Sequence, residues 1–139
     1  MKRQFQPGDT RHWRHVVTLA DTATFANGPV HPVYATFALA RDAEFACRQF
    51  VLEAREDHEE GIGTYVSVEH LSGALPGALI DFTAKVEEMN GNTLVCTWQA
   101  YERDRLIAQG KQIQKILSRD RLQSIFESLP GGTDLHGIG

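Results

Sequence analysis

Glu44 is the residue whose type and position most suggest chemistry. It lies in residues 34–55, a segment rich in Ala, Leu and Phe with no internal Gly or Pro. At helical period it falls at the border of a broad apolar face. Two interpretations stay open. Glu44 forms an i,i+4 ion pair with Arg48, or it is a reactive carboxylate in a partly apolar environment.

The other side chains with chemical potential give weaker signals. His12 and His15 resemble a metal-binding pair only superficially, because no carboxylate or further His accompanies them in the sequence. We expect solvated strand residues there and no metal site. Cys47 and Cys96 lie inside apolar segments and have neither CxxC nor Cys/His metal spacing, so they are predicted to be buried, reduced thiols.

Composition limits the class of protein. The chain has 139 residues with 42% hydrophobic and 23% charged residues, as expected for one soluble globular domain. We predict a single domain over residues 1–130 and a flexible C-terminal tail over residues 131–139. A net charge of −4 without a basic stripe argues against nucleic acid as a partner. No leader pattern or membrane-length apolar run is seen, so a cytoplasmic location away from membranes is expected.

The element that must position Glu44 is a long helix predicted over residues 34–55, apolar on most sides. The alternating sequence from His12 predicts a strand before it. Residues 21–33 contain several Gly and Pro breakers and predict a loop, whose junction with the helix suits an anion or a carbonyl oxygen. The acidic residues 53–60 are interpreted as a solvated turn.

Alternating apolar residues and turn signals predict an antiparallel meander after the helix. Gly110 suggests a bulge or a close backbone approach in its last strand, and Ser118 is a plausible N-cap for a short final helix. The four predicted strands cover residues 64–71, 78–89, 93–102 and 106–117, and the final helix covers residues 119–129.

A sheet with one apolar face must bury that face against another element, and a helix that is apolar on most sides must be surrounded by other elements. Both needs are met when the sheet curls around the helix. The sequence therefore predicts an α+β domain with a hot-dog fold, an antiparallel sheet of about five strands wrapped around a long central helix.

Three segments make the sequence resemble the fluoroacetyl-CoA thioesterase family of hot-dog proteins. Residues 33–36 (VYAT) and 44–47 (EFAC) are similar to two family motifs at the same separation. Residues 63–70 (GTYVSVEH) match the family pattern G-T-x3-V-x-H, and Pro76-Gly77 follows at the family spacing. The resemblance covers roughly residues 7–117.

The resemblance implies a catalytic Thr, Glu and His, which correspond to Thr36, Glu44 and His70. In these roles Glu44 attacks the thioester carbonyl or deprotonates water, His70 carries the proton, and Thr36 hydrogen-bonds the carboxylate or the thioester oxygen. Taken singly, each residue favours a simpler interpretation, Thr36 as an ordinary N-terminal helix residue and His70 as a satisfied strand histidine. Taken together in this order, they favour the catalytic interpretation.

The resemblance also implies a substrate pocket and a substrate class. Two lid phenylalanines of the family correspond to Asn27 and Val30 here, and a family glycine corresponds to Phe37. We therefore expect a small or medium acyl-CoA other than fluoroacetyl-CoA. The residues expected to bind substrate are Val30, Val33, Tyr34, Phe37, Gly63 and Val68.

The expected assembly is a homodimer with sites at the interface, with acyl-CoA as substrate and no cofactor beyond the coenzyme A that the substrate carries. Two other functions are compatible with the fold. One is a non-catalytic module that binds acyl-CoA or acyl-lipid. The other is a hot-dog hydratase, which ranks last because His31 has no Asp at the short spacing that such enzymes use.

Overall fold

The computed structural model describes residues 1–26 and 28–131. Asn27 and, beyond Gly131, the predicted tail lie outside the described residues. A short 3-10 turn, Leu19–Asp21, follows the first strand. The strands are β1 Thr10–Val16, β2 Thr22–Phe25, β3 Gly28–Tyr34, β4 Glu59–Val66, β5 Glu69–His70, β6 Leu79–Asn90, β7 Thr93–Glu102 and β8 Arg105–Ser118, and the helices are α1 Thr36–Ala54 and α2 Arg119–Glu127.

The main sheet is antiparallel and runs in the order β1-β6-β7-β8-β4, with the two-residue β5 added beside β8. Strands β2 and β3 form a separate two-stranded sheet. Helix α1 contacts β1, β4, β6, β7 and β8, so it lies across the whole main sheet. The predicted α+β arrangement of a long helix covered by an antiparallel sheet is confirmed.

Helix α1 is the centre of the core. Its wide apolar face buries small and large side chains together, against large sheet residues such as Phe82 and Trp98. Full burial of a large apolar side chain is worth roughly 1.5–3 kcal/mol, so this face supplies much of the drive for folding. The fully buried apolar residues of α1 are Ala38, Leu39, Ala43, Ala46, Cys47, Phe50, Val51 and Ala54.

The strand after α1 begins earlier than the sequence predicts, because its acidic start is neutralised. Glu60 was expected in a solvated turn, but it pairs with Arg48 at 2.9 Å and also with Arg55. Gly61 then lies so close to the helix that an added Cβ would stand 2.8 Å from Cγ1 of Val51. Glycine is therefore needed where β4 crosses α1.

Residues 21–33, predicted to be a loop, contain the β2–β3 hairpin. Both prolines of β3, Pro29 and Pro32, lie in a two-stranded sheet, where a strand has only one neighbour to bond. A proline is tolerated in such an edge strand because the missing N–H can face away from the partner. We refer to this hairpin as the lid.

A cluster of polar side chains ties the end of β1 to the start of α1. His15 Nε2 lies 2.6 Å from Asp21 Oδ2, and Arg41 bonds Asp21 at 2.6 Å and Asp42 at 2.8 Å. Tyr34 donates its hydroxyl hydrogen to Asp42. The expectation that His15 is solvated is wrong, because the carboxylates of Asp21 and Asp42 lie beside it. Their ligand-type atoms lie within 4.8 Å of one another, but Arg41 already supplies the balancing positive charge.

The cluster shifts the titration of its members. Burial raises the pKa of Asp21, but hydrogen bonds from Arg41, Thr18 and His15 outweigh it and hold that pKa well below its usual range. Burial, together with the hydrogen bond to Asp42, raises the pKa of Tyr34. The cluster is therefore ionised at Asp21 and neutral at Tyr34 at physiological pH.

Two other sequence-based predictions are confirmed. A Cβ at Gly110 would stand 1.9 Å from the Ser67 carbonyl oxygen, so the backbones do approach closely there. Ser118 caps α2 by accepting a hydrogen bond from the Arg121 backbone N–H. Within residues 1–26 and 28–131, no helix combines the length and the apolar character needed to span a membrane.

Cys47 and Cys96 are buried free thiols, as predicted. Cys47 lies on α1 and Cys96 on β7, where the two side chains meet between helix and sheet. The hydrogen bond with Cys96, together with burial, raises the pKa of the Cys47 thiol. Both thiols are therefore part of the core.

Replacing Asp21 with Asn is expected to lower the free energy of unfolding by about 2 kcal/mol at neutral pH, because a hydrogen-bonded buried charge is lost. The pKa of Asp21 is lower in the folded state than in the unfolded state. Its contribution is therefore complete above the unfolded pKa and is lost as pH falls below about 4.

Urea unfolding of both proteins at neutral pH and at acidic pH measures this effect, and the difference between them should shrink in acid. Asp81→Asn is the control, since Asp81 pairs with Arg14 in an exposed ion pair that is worth little. An Asp21→Asn variant as stable as wild type at neutral pH would contradict the assigned role.

Candidate active site

The structure brings together two of the three predicted catalytic residues. Thr36 is the first residue of α1 and His70 is the second residue of β5, 34 positions later. Their side chains share a hydrogen bond of 2.9 Å between Thr36 Oγ1 and His70 Nδ1. Strand β5 fixes His70 by pairing it with Ala108 of β8. This hydrogen bond therefore connects the start of α1 to β5.

The second nitrogen of His70 has a different environment. Its Nε2 atom is buried and has no hydrogen-bond partner among the residues that the structure describes. When Nδ1 accepts a hydrogen from Thr36, Nε2 carries the remaining hydrogen of the neutral ring. A buried N–H without a partner is costly. Within this protomer, His70 is therefore held through Nδ1 and Thr36 and not through Nε2.

Glu44 lies on α1 and is exposed in the protomer. The predicted ion pair with Arg48 is not formed, since Arg48 bonds Glu60 at 2.9 Å. Within the described ranges, Glu44 has no ion pair or side-chain hydrogen bond. It borders a small cavity of about 150 Å³ whose lining includes Phe45 and Gly63. The carboxylate is therefore left free by the helix that carries it.

Thr36 and Glu44 do not meet within one protomer. Eight residues of helix separate them by about 12 Å along the axis, and α1 is helical from Thr36 onward. The chain at Thr36 is therefore not a loop that could fold back toward Glu44. The Thr36–His70 pair and Glu44 form two separate parts on the surface of this chain.

Two predicted substrate-binding residues lie on or beside the lid and are exposed. Val30 is on β3 and borders an apolar cavity of about 360 Å³ that also includes Leu19 and Pro76. Phe37 lies next to Thr36 and packs edge-on against Phe25 of the lid, with ring centroids 6.0 Å apart. The sequence analysis missed Phe25, whose only signal is an aromatic residue beside a turn.

The other predicted substrate-binding residues differ in how open they are. Gly63 is exposed beside Glu44, whose Oε1 would stand 3.0 Å from an added Cβ. Val33 is half-buried, and Val68 borders a separate groove of about 530 Å³ that includes neither Glu44 nor the Thr36–His70 pair. Tyr34 is fully buried. Its side chain lies in the core and bonds Asp42 of α1, so it does not line an open surface.

Gln112 and Gln114 on β8 were not singled out from the sequence, although both border the cavity beside Glu44. They are almost completely buried, with 2% and 4% of their surface exposed. The signal was present in the alternation of the strand, where two polar residues occupy the inward phase. Polar residues at that phase indicate either internal hydrogen bonds or a site.

The sequence of the chain matches the model of a known protein family. The family model for the fluoroacetyl-CoA-specific thioesterase FlK matches residues 17–120. A search of the curated proteins found no match.

Solved structures are similar over nearly the whole chain. A hypothetical protein of Thermus thermophilus from the thioesterase superfamily is 38% identical, with a TM-score of 0.86 over 90% of this chain and 93% of that one. The fluoroacetyl-CoA thioesterase FlK is 20% identical, with a TM-score of 0.83 over 92% and 100%. A hot-dog-like protein of Thermanaerovibrio acidaminovorans is 22% identical, with a TM-score of 0.81 over 91% and 95%.

These two low-identity structures establish the hot-dog fold, and the family model covers most of the chain, including the lid, α1 and all the predicted catalytic positions. The chain therefore belongs to the fluoroacetyl-CoA-specific thioesterase family.

Proposed function

We propose that the protein is an acyl-CoA thioesterase that hydrolyses a small or medium acyl-CoA with Thr36, Glu44 and His70. The observation that carries the proposal is the 2.9 Å hydrogen bond between Thr36 and His70. It joins two of the three predicted residues across 34 positions of sequence. Membership in a thioesterase family supports the reaction class.

The three side chains are sufficient for thioester hydrolysis. Water adds to the carbonyl carbon, the C–S bond breaks, and the products are a carboxylic acid and the free thiol of coenzyme A. Glu44 is the nucleophile or the base that takes a proton from water. When His70 carries a proton, its Nδ1–H donates to Thr36 Oγ1. The Thr36 hydroxyl hydrogen is then available to the substrate, beside the free N–H groups of the first turn of α1. No cofactor is needed for these steps.

The complete site requires a second copy of the chain. Glu44 is too far along α1 to reach Thr36 of its own protomer, and it has no ion-pair partner within the part of the chain that the structure describes. Strand β4 ends the main sheet and has one neighbour there, β8. Its open edge can pair with another β4 in a two-fold arrangement. In such a homodimer, Glu44 of one subunit faces Thr36 and His70 of the other.

The lid supports an acyl group other than fluoroacetyl. Val30 takes the position of a family phenylalanine, and Asn27 takes that of the other. Phe25 and Phe37 instead form an exposed aromatic pair beside Thr36. An apolar surface of this kind favours an acyl chain longer than two carbons, because each buried methylene adds about 0.8 kcal/mol.

Glu44→Gln should abolish hydrolysis, with a loss of at least about 100-fold in turnover, and should leave folding intact because the two side chains have nearly the same shape. The measurement is free-thiol release from a panel of acyl-CoAs of increasing chain length. Glu53→Gln is the control, since Glu53 is an exposed carboxylate of the same helix that pairs with Arg11.

A Glu44→Gln variant that hydrolyses its best substrate at the wild-type rate would contradict the catalytic role of Glu44. A wild-type protein that binds acyl-CoA but releases no thiol from the whole panel would instead indicate the non-catalytic binding module.

Mixing Thr36→Ala with Glu44→Gln under conditions of subunit exchange should restore activity. A random 1:1 mixture should reach about one quarter of the wild-type rate, because half the dimers are mixed and each has one intact site. The rate is measured before and after exchange, and exchange is verified with differently tagged subunits. Verified exchange without recovery, or a fully active monomer, would contradict the shared site.

A further inference from the structure

Gln112 is a buried polar residue beside the proposed base. It lies on β8 and has only 2% of its surface exposed. Its Oε1 atom has no hydrogen-bond partner within residues 1–26 and 28–131. An unsatisfied buried amide oxygen costs roughly 1–3 kcal/mol. Such a cost is typical of a functional site.

Gln114, two positions away on the same strand, is a buried glutamine whose amide makes a hydrogen bond within the protein. It is equally buried, but its Nε2 donates a 2.9 Å hydrogen bond to the Cys47 carbonyl oxygen of α1. That bond ties β8 to the helix. Gln112 has the same strand, the same face and the same burial, and lacks an equivalent bond. Gln114 therefore has a structural role, and a different role is to be sought for Gln112.

Glu44 and Gln112 border the same small space. An added Cβ at Gly63 would stand 3.0 Å from Glu44 Oε1 and 3.7 Å from Gln112 Nε2. Because residue 63 is glycine, that space remains open as part of a cavity of about 150 Å³. A water molecule occupies about 30 Å³ in the liquid. The cavity can therefore hold water in contact with both side chains.

We propose that Gln112 positions the hydrolytic water for Glu44, an inference that rests on the proposed thioesterase function. The water donates one hydrogen bond to the Glu44 carboxylate and accepts one from Gln112 Nε2, the amide atom that lies beside Gly63. The second lone pair of the water oxygen is then directed toward an incoming carbonyl carbon. Gln112 touches the water rather than the acyl-CoA.

This arrangement makes Glu44 a general base and not a nucleophile. The water oxygen forms the new bond to the carbonyl carbon while its proton passes to Glu44. The C–S bond breaks as the tetrahedral intermediate collapses. The departing thiolate receives the proton that Glu44 took from the water, carried by His70, and Glu44 returns to its carboxylate form. The new oxygen of the carboxylic acid comes directly from solvent in every turnover, and no bond forms between the acyl group and Glu44.

The test is Gln112→Met, which keeps the approximate shape of the side chain and removes the amide. Turnover should fall roughly 10- to 100-fold, because a misplaced reactant is costly, while KM changes less than about threefold. The thermal midpoint should stay equal or rise, because an unpaired buried oxygen is removed. Gln114→Met should show the opposite pattern, a lower thermal midpoint with turnover close to wild type.

A second measurement follows the oxygen. With enzyme in excess over acyl-CoA in ¹⁸O-water, the label should appear in the carboxylic acid product in the first turnover and not in the peptide that contains Glu44. Mass spectrometry of enzyme quenched during that turnover should find no acyl group on the same peptide. Label in Glu44, or a folded Gln112→Met variant with wild-type turnover, would overturn the inference while leaving the thioesterase function intact. A wild-type protein that releases no thiol from any acyl-CoA would overturn both.

Discussion

The structure depends on the burial of one helix. α1 contacts every long strand of the main sheet, and four of its buried residues are alanines, Ala38, Ala43, Ala46 and Ala54. Small side chains let a helix and a sheet approach closely, and close packing is what fixes side-chain positions. Since α1 cannot rotate without exposing this face, the directions of Thr36 and Glu44 are set by the core and not by loops.

Two groups of buried polar side chains lie beside different parts of that helix, and they differ in how many of their hydrogen-bonding atoms have partners. Around Arg41, each carboxylate has a charged or hydroxyl donor, and the cluster fixes the start of α1. Around Gln112, an amide oxygen lacks a donor from the chain itself. A satisfied network adds rigidity, whereas an unsatisfied group costs stability. The satisfied cluster therefore holds the start of α1, whereas the unsatisfied amide lies on β8 beside Glu44.

The fold could be predicted from the sequence because its strongest signals are local. The unbroken apolar period of residues 34–55 and the alternation of the later strands give α1 and the meander directly. The prediction failed where charged and polar pairings decide the outcome. Glu60 lies at the start of β4 because three arginines meet it, two from α1 and its C-terminal cap and one from α2. His15 is ordered by Asp21, six positions along the chain, and by Asp42. An apolar period does not contain such pairings.

The candidate site was predictable in its residue types but not in its arrangement. Resemblance supplied Thr36, Glu44 and His70, and the structure adds that the first and last share a hydrogen bond. That Glu44 is free of Arg48 depends on a competing acid, Glu60, twelve positions beyond Arg48. Gln112 was not predicted as a site residue because a single inward-facing glutamine on a strand matches no functional motif.

The location of the cysteines has a chemical consequence for a protein of a thioesterase family. A thioester transfers its acyl group readily to a thiolate, so an exposed cysteine near the substrate would compete with water and leave an acylated protein. Cys47 and Cys96 are buried, and the raised pKa of Cys47 keeps that thiol protonated. The chain thus offers no accessible thiolate within residues 1–26 and 28–131, and self-acylation by its own substrate is prevented by the same core that holds the helix.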